Sequence, residues 1–265
     1  MMTFYFTATG NSLYVAKRIN PKGELISIPQ AWKEESKTYK SEVIGFVFPC
    51  YWFAVPKLVE EFMNKNTFEA DYFFAVMTYG NISGNGLGRM EKIGKQSNIK
   101  FNYTAELLMV DTYLPIFKIE EQLKKEPSKK IEENLEVIIE NLSNRLNKRV
   151  KKSAPSKMIT KLVNEIIPAG DADNRFSIDE RCTYKECMVC EQVCSRNNIS
   201  VEENEIKFLH KCEFCMGCIN LCPRNAIHLN GQRSEVRFKN RNISLQEIIK
   251  SNDQSKKHNK ITNTT

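Results

Sequence analysis

The chain has 265 residues, long for one compact domain and comfortable for two. With 41% hydrophobic and 27% charged residues it has an ordinary globular composition, and its longest uncharged apolar stretch, Ile44 to Pro56, is too short and too broken by Pro49 to span a membrane. The net charge of +7 is concentrated: residues 145–161 carry many Lys and Arg and no acid, and more lysines follow in the tail. No recognition motif accompanies this charge, which argues against nucleic acid and predicts a solvated helix face or, more sharply, a docking surface for an acidic partner.

From its start the chain runs straight into an apolar strand at 2–6 with no charged leader, which predicts a cytoplasmic location. Further strand-like runs fall at 24–28, 43–49, 72–78 and 103–110, with helical patterns near 11–19, 56–65 and 85–97 between them. This alternation predicts an α/β fold with a parallel sheet covered on both faces, where a cofactor sits outside the C-terminal strand ends. The first strand leads into Thr7-Ala8-Thr9-Gly10-Asn11-Ser12 and then a helix. Strand, hydroxyl-and-glycine loop and helix form the geometry of a phosphate site at a helix N-terminus. The loop has no lysine, so it is not a Walker motif; hydroxyls at Thr7, Thr9 and Ser12, a close backbone approach at Gly10 and unpaired amides suit a phosphate monoester held by hydrogen bonds.

Later strand ends carry Pro49-Cys50-Tyr51-Trp52-Phe53, Thr78-Tyr79-Gly80-Asn81 and Asp111-Thr112-Tyr113. Tyr51, Trp52, Phe53 and Tyr79 either stack on a flat ring or pack as buried aromatics, and Cys50 reads as a small buried residue rather than a redox thiol. The stripe Ile131, Leu135, Ile138, Ile139, Leu142 and Leu146 predicts an amphipathic helix. A second stripe over 158–167 leads to a linker near Pro168, and the polar tail from Ser251 predicts disorder.

Eight of the nine cysteines lie between Cys182 and Cys222, which points to metal rather than disulfides. Cys212, Cys215, Cys218 and Cys222-Pro223 follow C-x2-C-x2-C-x3-C-P without deviation, the spacing of bacterial ferredoxins. Cys182, Cys187, Cys190 and Cys194 form a first run with two extra residues before Cys187 and Ser195 in place of proline. A shift of 28 residues aligns Cys187-Met188, Cys190, Cys194, Arg196-Asn197 and Ile199 with Cys215-Met216, Cys218, Cys222, Arg224-Asn225 and Ile227, an internal duplication. A [2Fe–2S] centre matches the first spacing alone, and zinc also takes CxxC pairs; the shared repeat and eight ligands favour two [4Fe–4S] clusters.

The Thr7–Ser12 loop resembles the FMN phosphate loop of flavodoxins, with Ala8 where glycine is common. Over roughly residues 2–250 the chain resembles flavodoxin-fold proteins fused to a C-terminal two-cluster ferredoxin. The resemblance implies a flavodoxin-like, doubly wound parallel five-stranded sheet of order 2-1-3-4-5 over residues 1–117, followed by a helical extension and linker over 118–170. A small α+β two-cluster domain then covers 171–232, a C-terminal segment 233–250 and a tail 251–265. It implies FMN at Thr7, Thr9, Gly10, Asn11 and Ser12, with Tyr51, Trp52, Tyr79, Gly80 and Asn81 about the ring. It also implies crossed ligation: Cys182, Cys187, Cys190 and Cys222 on one cluster, Cys212, Cys215, Cys218 and Cys194 on the other. The function expected is electron transfer between the clusters and FMN; the alternative is a ferredoxin-like carrier whose sheet domain holds no flavin and docks a partner. No acid–base set stands out, so a substrate, if the protein is an FMN-dependent oxidoreductase, is not legible.

Overall fold

The computed structural model describes residues 1–150 and 170–254. The second helical stripe, most of the basic run and the end of the tail lie outside the described residues. Up to residue 108 the strands are β1 (Met2–Tyr5), β2 (Glu24–Ser27), β3 (Thr38–Lys40), β4 (Val43–Pro49), β5 (Thr67–Glu69), β6 (Tyr72–Tyr79) and β7 (Tyr103–Leu108). β3 and β5 pair with each other, a small parallel ladder absent from the sequence reading. The other five form one parallel sheet in the order β2-β1-β4-β6-β7. Counting those five alone gives 2-1-3-4-5, the flavodoxin-like order, with the first strand beside both the second and the third.

Strict alternation sends successive side chains of each strand to opposite faces. Ile44, Phe46 and Phe48 of β4 join Phe4, Phe6, Ala75 and Met77 on one face. There they meet α2 (Ile28–Trp32), α3 (Lys57–Lys65) and α4 (Gly86–Gln96), while the other face takes α1 (Asn11–Ile19) and α6 (Ile131–Ser143). α3 shows why such a segment is helical: Leu58, Val59, Phe62 and Met63 recur on one stripe, and all four are buried. α5 (Ile119–Lys125) and α6 follow the sheet. Leu135 and Ile138 of α6 are buried as the stripe requires, but the helix ends at Ser143 and Leu146 is 40% exposed. The chain there turns to bridge Lys148 to the start of β7, which takes Leu146 off the stripe.

The cysteine-rich part is built from much shorter pieces. β8 (Phe176–Ile178) pairs antiparallel with β11 (Ile227–Leu229), and β9 (Ile199–Val201) with β10 (Ile206–Phe208). Two one-turn helices, α7 (Val189–Gln192) and α8 (Gly217–Asn220), follow Met188 and Met216, which share the left-handed conformation. The duplication read from the cysteines therefore extends to the backbone. Asn197 and Asn225 are also both left-handed, and β9 and β11 begin at matching places.

The chain then returns to the sheet. α9 (Leu245–Asn252) starts with a capping box at Ser244 and Glu247 and buries Ile248 and Ile249 against the α1 face. This corrects the reading of disorder at the first residues of the tail: Ser251, Asn252 and Asp253 are buried, and Ser251 Oγ lies 2.8 Å from the Tyr5 hydroxyl, while residues 255–265 lie outside the described residues. Polar side chains gave no core stripe to see, yet Ser251 Oγ donates to Glu247 C=O at 2.7 Å and Asn252 Nδ2 to Thr7 C=O at 2.8 Å. Among the described residues no helix is long and apolar enough to cross a membrane.

Candidate functional site

A cleft of about 450 Å³ opens at the C-terminal ends of β1, β4, β6 and β7. The loop after β1 forms its floor. Gly10 N–H donates to Thr7 Oγ1 at 3.1 Å, and Ser12 Oγ lies 2.8 Å from Thr78 Oγ1. Both hydroxyls thus have one partner inside the protein and capacity for another. No side chain caps α1, so the amides of its first turn remain available to an anion.

The loop after β4 forms one wall. Tyr51 and Ala54 exchange two backbone hydrogen bonds of 3.1 and 2.8 Å, and between them Trp52 and Phe53 both have positive φ, 53° and 61°. A tight turn of this hand normally takes Asn or Gly; two bulky aromatics here cost roughly 1–3 kcal/mol each, a kind of strain that gathers at binding sites. The turn aims Trp52 at Phe214, with ring centroids 6.1 Å apart and planes at 22°, and edge-on at Tyr113, 5.1 Å away. Tyr51 packs edge-on to Phe6. Its hydroxyl makes no hydrogen bond of ordinary geometry, and burial raises its pKa well above the usual value, helped by the nearby Cys215.

Opposite stands Asp111, after β7. It accepts from Asn81 Nδ2 at 2.7 Å and from Tyr113 N–H at 3.0 Å, while Lys129 Nζ donates to Gly80 C=O at 2.7 Å. Burial raises the Asp111 carboxyl, and these two donors and Lys129 pull it back. Gly80 is required here: a Cβ would sit 2.2 Å from Asp111 Cγ.

The cysteine runs come next. Backbone N–H groups donate to sulfur at matching places in the two halves: Tyr184 to Cys182 (3.4 Å) and Phe214 to Cys212 (3.2 Å), then Asn198 to Cys194 and Ala226 to Cys222 (both 3.3 Å). Because Tyr184 matches Phe214, the two extra residues of the first run fall between Tyr184 and Cys187, in a single 3-10 turn over Tyr184–Glu186. The thiols also sort by electrostatic neighbourhood. Burial first, then Cys182, Cys222 and Cys187, pushes Cys190 up to about 12. Burial, then Cys215, Cys212, Cys194 and last Cys190 of the other set, raises Cys218, and Cys215 rises to about 12 with Cys194 among its neighbours. Glu213, between Cys212 and Cys215, accepts from Leu58 N–H at 2.8 Å and so ties this run to the first turn of α3; burial lifts its carboxyl to about 7 despite Arg196.

Among the described residues no three His, Cys, Asp or Glu side chains converge as the ligands of a single metal ion would. A cubane differs in taking thiolates at four separated corners. The eight cysteines form no disulfide, and each run directs two backbone N–H groups at sulfur, a donor set compatible with thiolate ligation.

Of the residues singled out in the sequence, Thr7, Thr9, Asn11, Ser12, Tyr51, Trp52, Tyr79, Gly80 and Asn81 all line the cleft. Gly10 does not. It has φ 100°, and a Cβ there would lie 3.0 Å from Asn240 Cβ and 3.2 Å from Ile243 Cβ, so its need for glycine comes from the left-handed turn and the C-terminal segment behind it rather than from a ligand in front. Asp111 and Tyr113 stand at a strand end to which the sequence gives no role, and an acid directly after the last strand is the available signal. Phe214, Cys215 and Met216 also line the cleft, and nothing local in the cysteine run indicates it. Cys50 is half-buried, its Sγ 3.4 Å from Ser83 C=O. His210 and His228 sit 2.8 Å from Asp173 and Asp179, away from the cleft.

No family profile matches the chain, and no curated protein sequence matches it. Among solved structures, a "putative flavoprotein" from Bacteroides uniformis is 16% identical, with 40% of this chain covering 88% of that one at a TM-score of 0.33. The Trp repressor binding protein from Bacillus subtilis is 12% identical, covering 40% of this chain and 83% of that one at a TM-score of 0.28. Likeness this slight carries no function across; the sheet order is what makes the N-terminal part flavodoxin-like.

Proposed function

We propose that this protein is an electron-transfer iron–sulfur flavoprotein, with FMN in the cleft and two [4Fe–4S] clusters on the crossed cysteine quartets. One observation carries the reading: Phe214, Cys215 and Met216 of the second cysteine run are part of the wall of the same cleft that the Thr7–Ser12 loop and the aromatic turn define. A flavin exchanges electrons singly or in pairs, whereas each cluster carries one, so the pair together adapts one chemistry to the other. The chain's own residues have separate tasks. The α1 amides, Thr9 and Ser12 hold the phosphate; Tyr51, Trp52 and Tyr79 wall the ring; Gly80, Asn81 and Asp111 line its polar edge. The N–H groups that donate to Cys182, Cys194, Cys212 and Cys222 stabilise the thiolate form a cluster needs. The basic run at 145–161 fits an acidic redox partner, and free thiols fit a reducing compartment.

Anaerobic purification with iron, sulfide and flavin measured on one sample tests this directly. The reading expects about eight iron, about eight sulfide and one FMN per chain. Clusters without any uptake of FMN leave the carrier alone. Cys194→Ala separates the ligand sets: it should damage the cluster of the second run although it lies in the first, and the reverse pattern in the EPR spectra overturns the crossing.

A further inference from the structure

The segment after β11 crosses the outer side of the β1–α1 loop. Asn240 N–H donates to Thr9 C=O at 2.9 Å, and Asn240 Nδ2 donates to Asn11 Oδ1 at 3.0 Å. Asn240 Oδ1 accepts from Asn242 N–H at 3.0 Å, which holds the amide in that orientation. Asn11 is tied on its other side, since its Nδ2 donates to Val110 C=O at 3.2 Å. From α9, Asn252 Nδ2 reaches Thr7 C=O at 2.8 Å and Val193 C=O at 3.3 Å, joining the loop to the first cysteine run. Asn240 is 7% exposed and Asn252 1%, so neither contact competes with bulk water.

These bonds decide which way the loop's peptides face. In a trans peptide the C=O and the following N–H point in opposite directions. Holding the carbonyls of Thr7 and Thr9 from outside therefore turns Ala8 N–H toward the inner side of the loop and Gly10 N–H onto Thr7 Oγ1 at 3.1 Å, which leaves the Thr7 hydroxyl proton to donate to an anion. It also prevents either carbonyl from swinging inward, where its partial negative charge would repel an anion.

We infer that Asn240 is a positioning residue of the phosphate site, and that the C-terminal segment through it sets the preference for a phosphorylated flavin over an unphosphorylated one. The inference rests on the flavin reading above and adds to it a determinant 229 positions along the chain from Asn11. A merely structural strap would weaken both ligands or neither. A positioning strap weakens only the ligand that carries the phosphate.

The test compares FMN and riboflavin binding to full-length wild type, Asn240→Ala and Asn252→Ala, followed by quenching of flavin fluorescence, with iron content and melting temperature as controls. Asn240→Ala keeps the backbone bond to Thr9 C=O but removes the tie to Asn11 and the brace to Asn242, so it should weaken FMN by about tenfold, the scale of one buried hydrogen bond, and leave riboflavin unchanged. Asn252→Ala should act in the same direction through Thr7. If the alanine at 240 prevents folding, Asn240→Ser keeps a small polar group that can still accept from Asn242 while losing the reach to Asn11, and the same selective loss is expected. Equal losses for the two flavins, or no loss for FMN, overturn the inference while leaving the flavin reading intact. A wild type that binds no FMN overturns both.

Discussion

The sheet and the cysteine-rich part are held together in different ways. The sheet has strands of seven and eight residues at its centre and fully buries Phe4, Phe6, Phe46, Phe48, Phe62 and Phe74. Each of those rings contributes on the order of 1.5–3 kcal/mol by leaving water, so this part has a core of its own. The cysteine-rich part has three-residue strands and one-turn helices, and its apolar cluster borrows Val110, Leu114 and Ile119 from the N-terminal part, with Trp52 and Tyr113 at its edge. Small units with little core commonly need a metal or crosslink for independent order. The contrast is between a region ordered by apolar burial of its own and one that leans on its neighbour and, on the proposed reading, on its thiols.

The strongest way to break that contrast is to remove a thiol. On the proposed cluster reading, Cys218→Ala removes a ligand of the second quartet and should leave residues 182–229 open to amide exchange while β4 and β6 stay protected. Hydrogen-exchange mass spectrometry resolves the two regions, and equal loss of protection in both would show one cooperative unit. The converse perturbation is Phe46→Ala, in the centre of the sheet. It should cost about 3–5 kcal/mol in urea denaturation, with cluster absorbance unchanged below the transition.

Smaller effects sharpen the picture at α9, which joins the two parts. Ser244→Ala removes an N-cap that accepts from Glu247 N–H at 3.2 Å and should cost about 1 kcal/mol, visible as faster exchange in α9 alone. Glu247 is held down at about 2, first by Lys17 at 2.6 Å and then by the Ser244 N–H. A carboxyl depressed in the folded state lends stability above its unfolded value near 4.5, lost as pH falls through about 2. The side chain is 37% exposed, so water screens the pair and the effect stays below about 1 kcal/mol. Wild type should therefore lose melting temperature faster than Glu247→Gln between pH 4.5 and pH 2; parallel curves would show the contact to be idle.

The sheet strands were legible because each is a local apolar run: β4 and β6 were placed to within a residue from the sequence alone, and the Thr7–Ser12 loop from its position after β1. The cysteine quartets were legible as spacings for the same reason, since ligand spacing is written along the chain. α9 was not, although Ser244 and Glu247 spell a capping box, because its last turn buries Ser251 and Asn252 through hydrogen bonds rather than an apolar face.

The sequence by itself determined the five strands of the main sheet, the loop pattern after β1 and the spacing within each cysteine run, all set by residues within a few positions of one another. Only the tertiary structure decided that Phe214–Met216 complete the cleft, that Gly10 must be glycine because Asn240 and Ile243 lie behind it, and that Asn252 spans from Thr7 to Val193. Those contacts join residues far apart along the chain, and the one from Asn252 reaches a backbone carbonyl 245 positions away through a single polar group. Such a bond depends on where the two chains happen to meet, has no periodicity, and so leaves no local trace in the sequence.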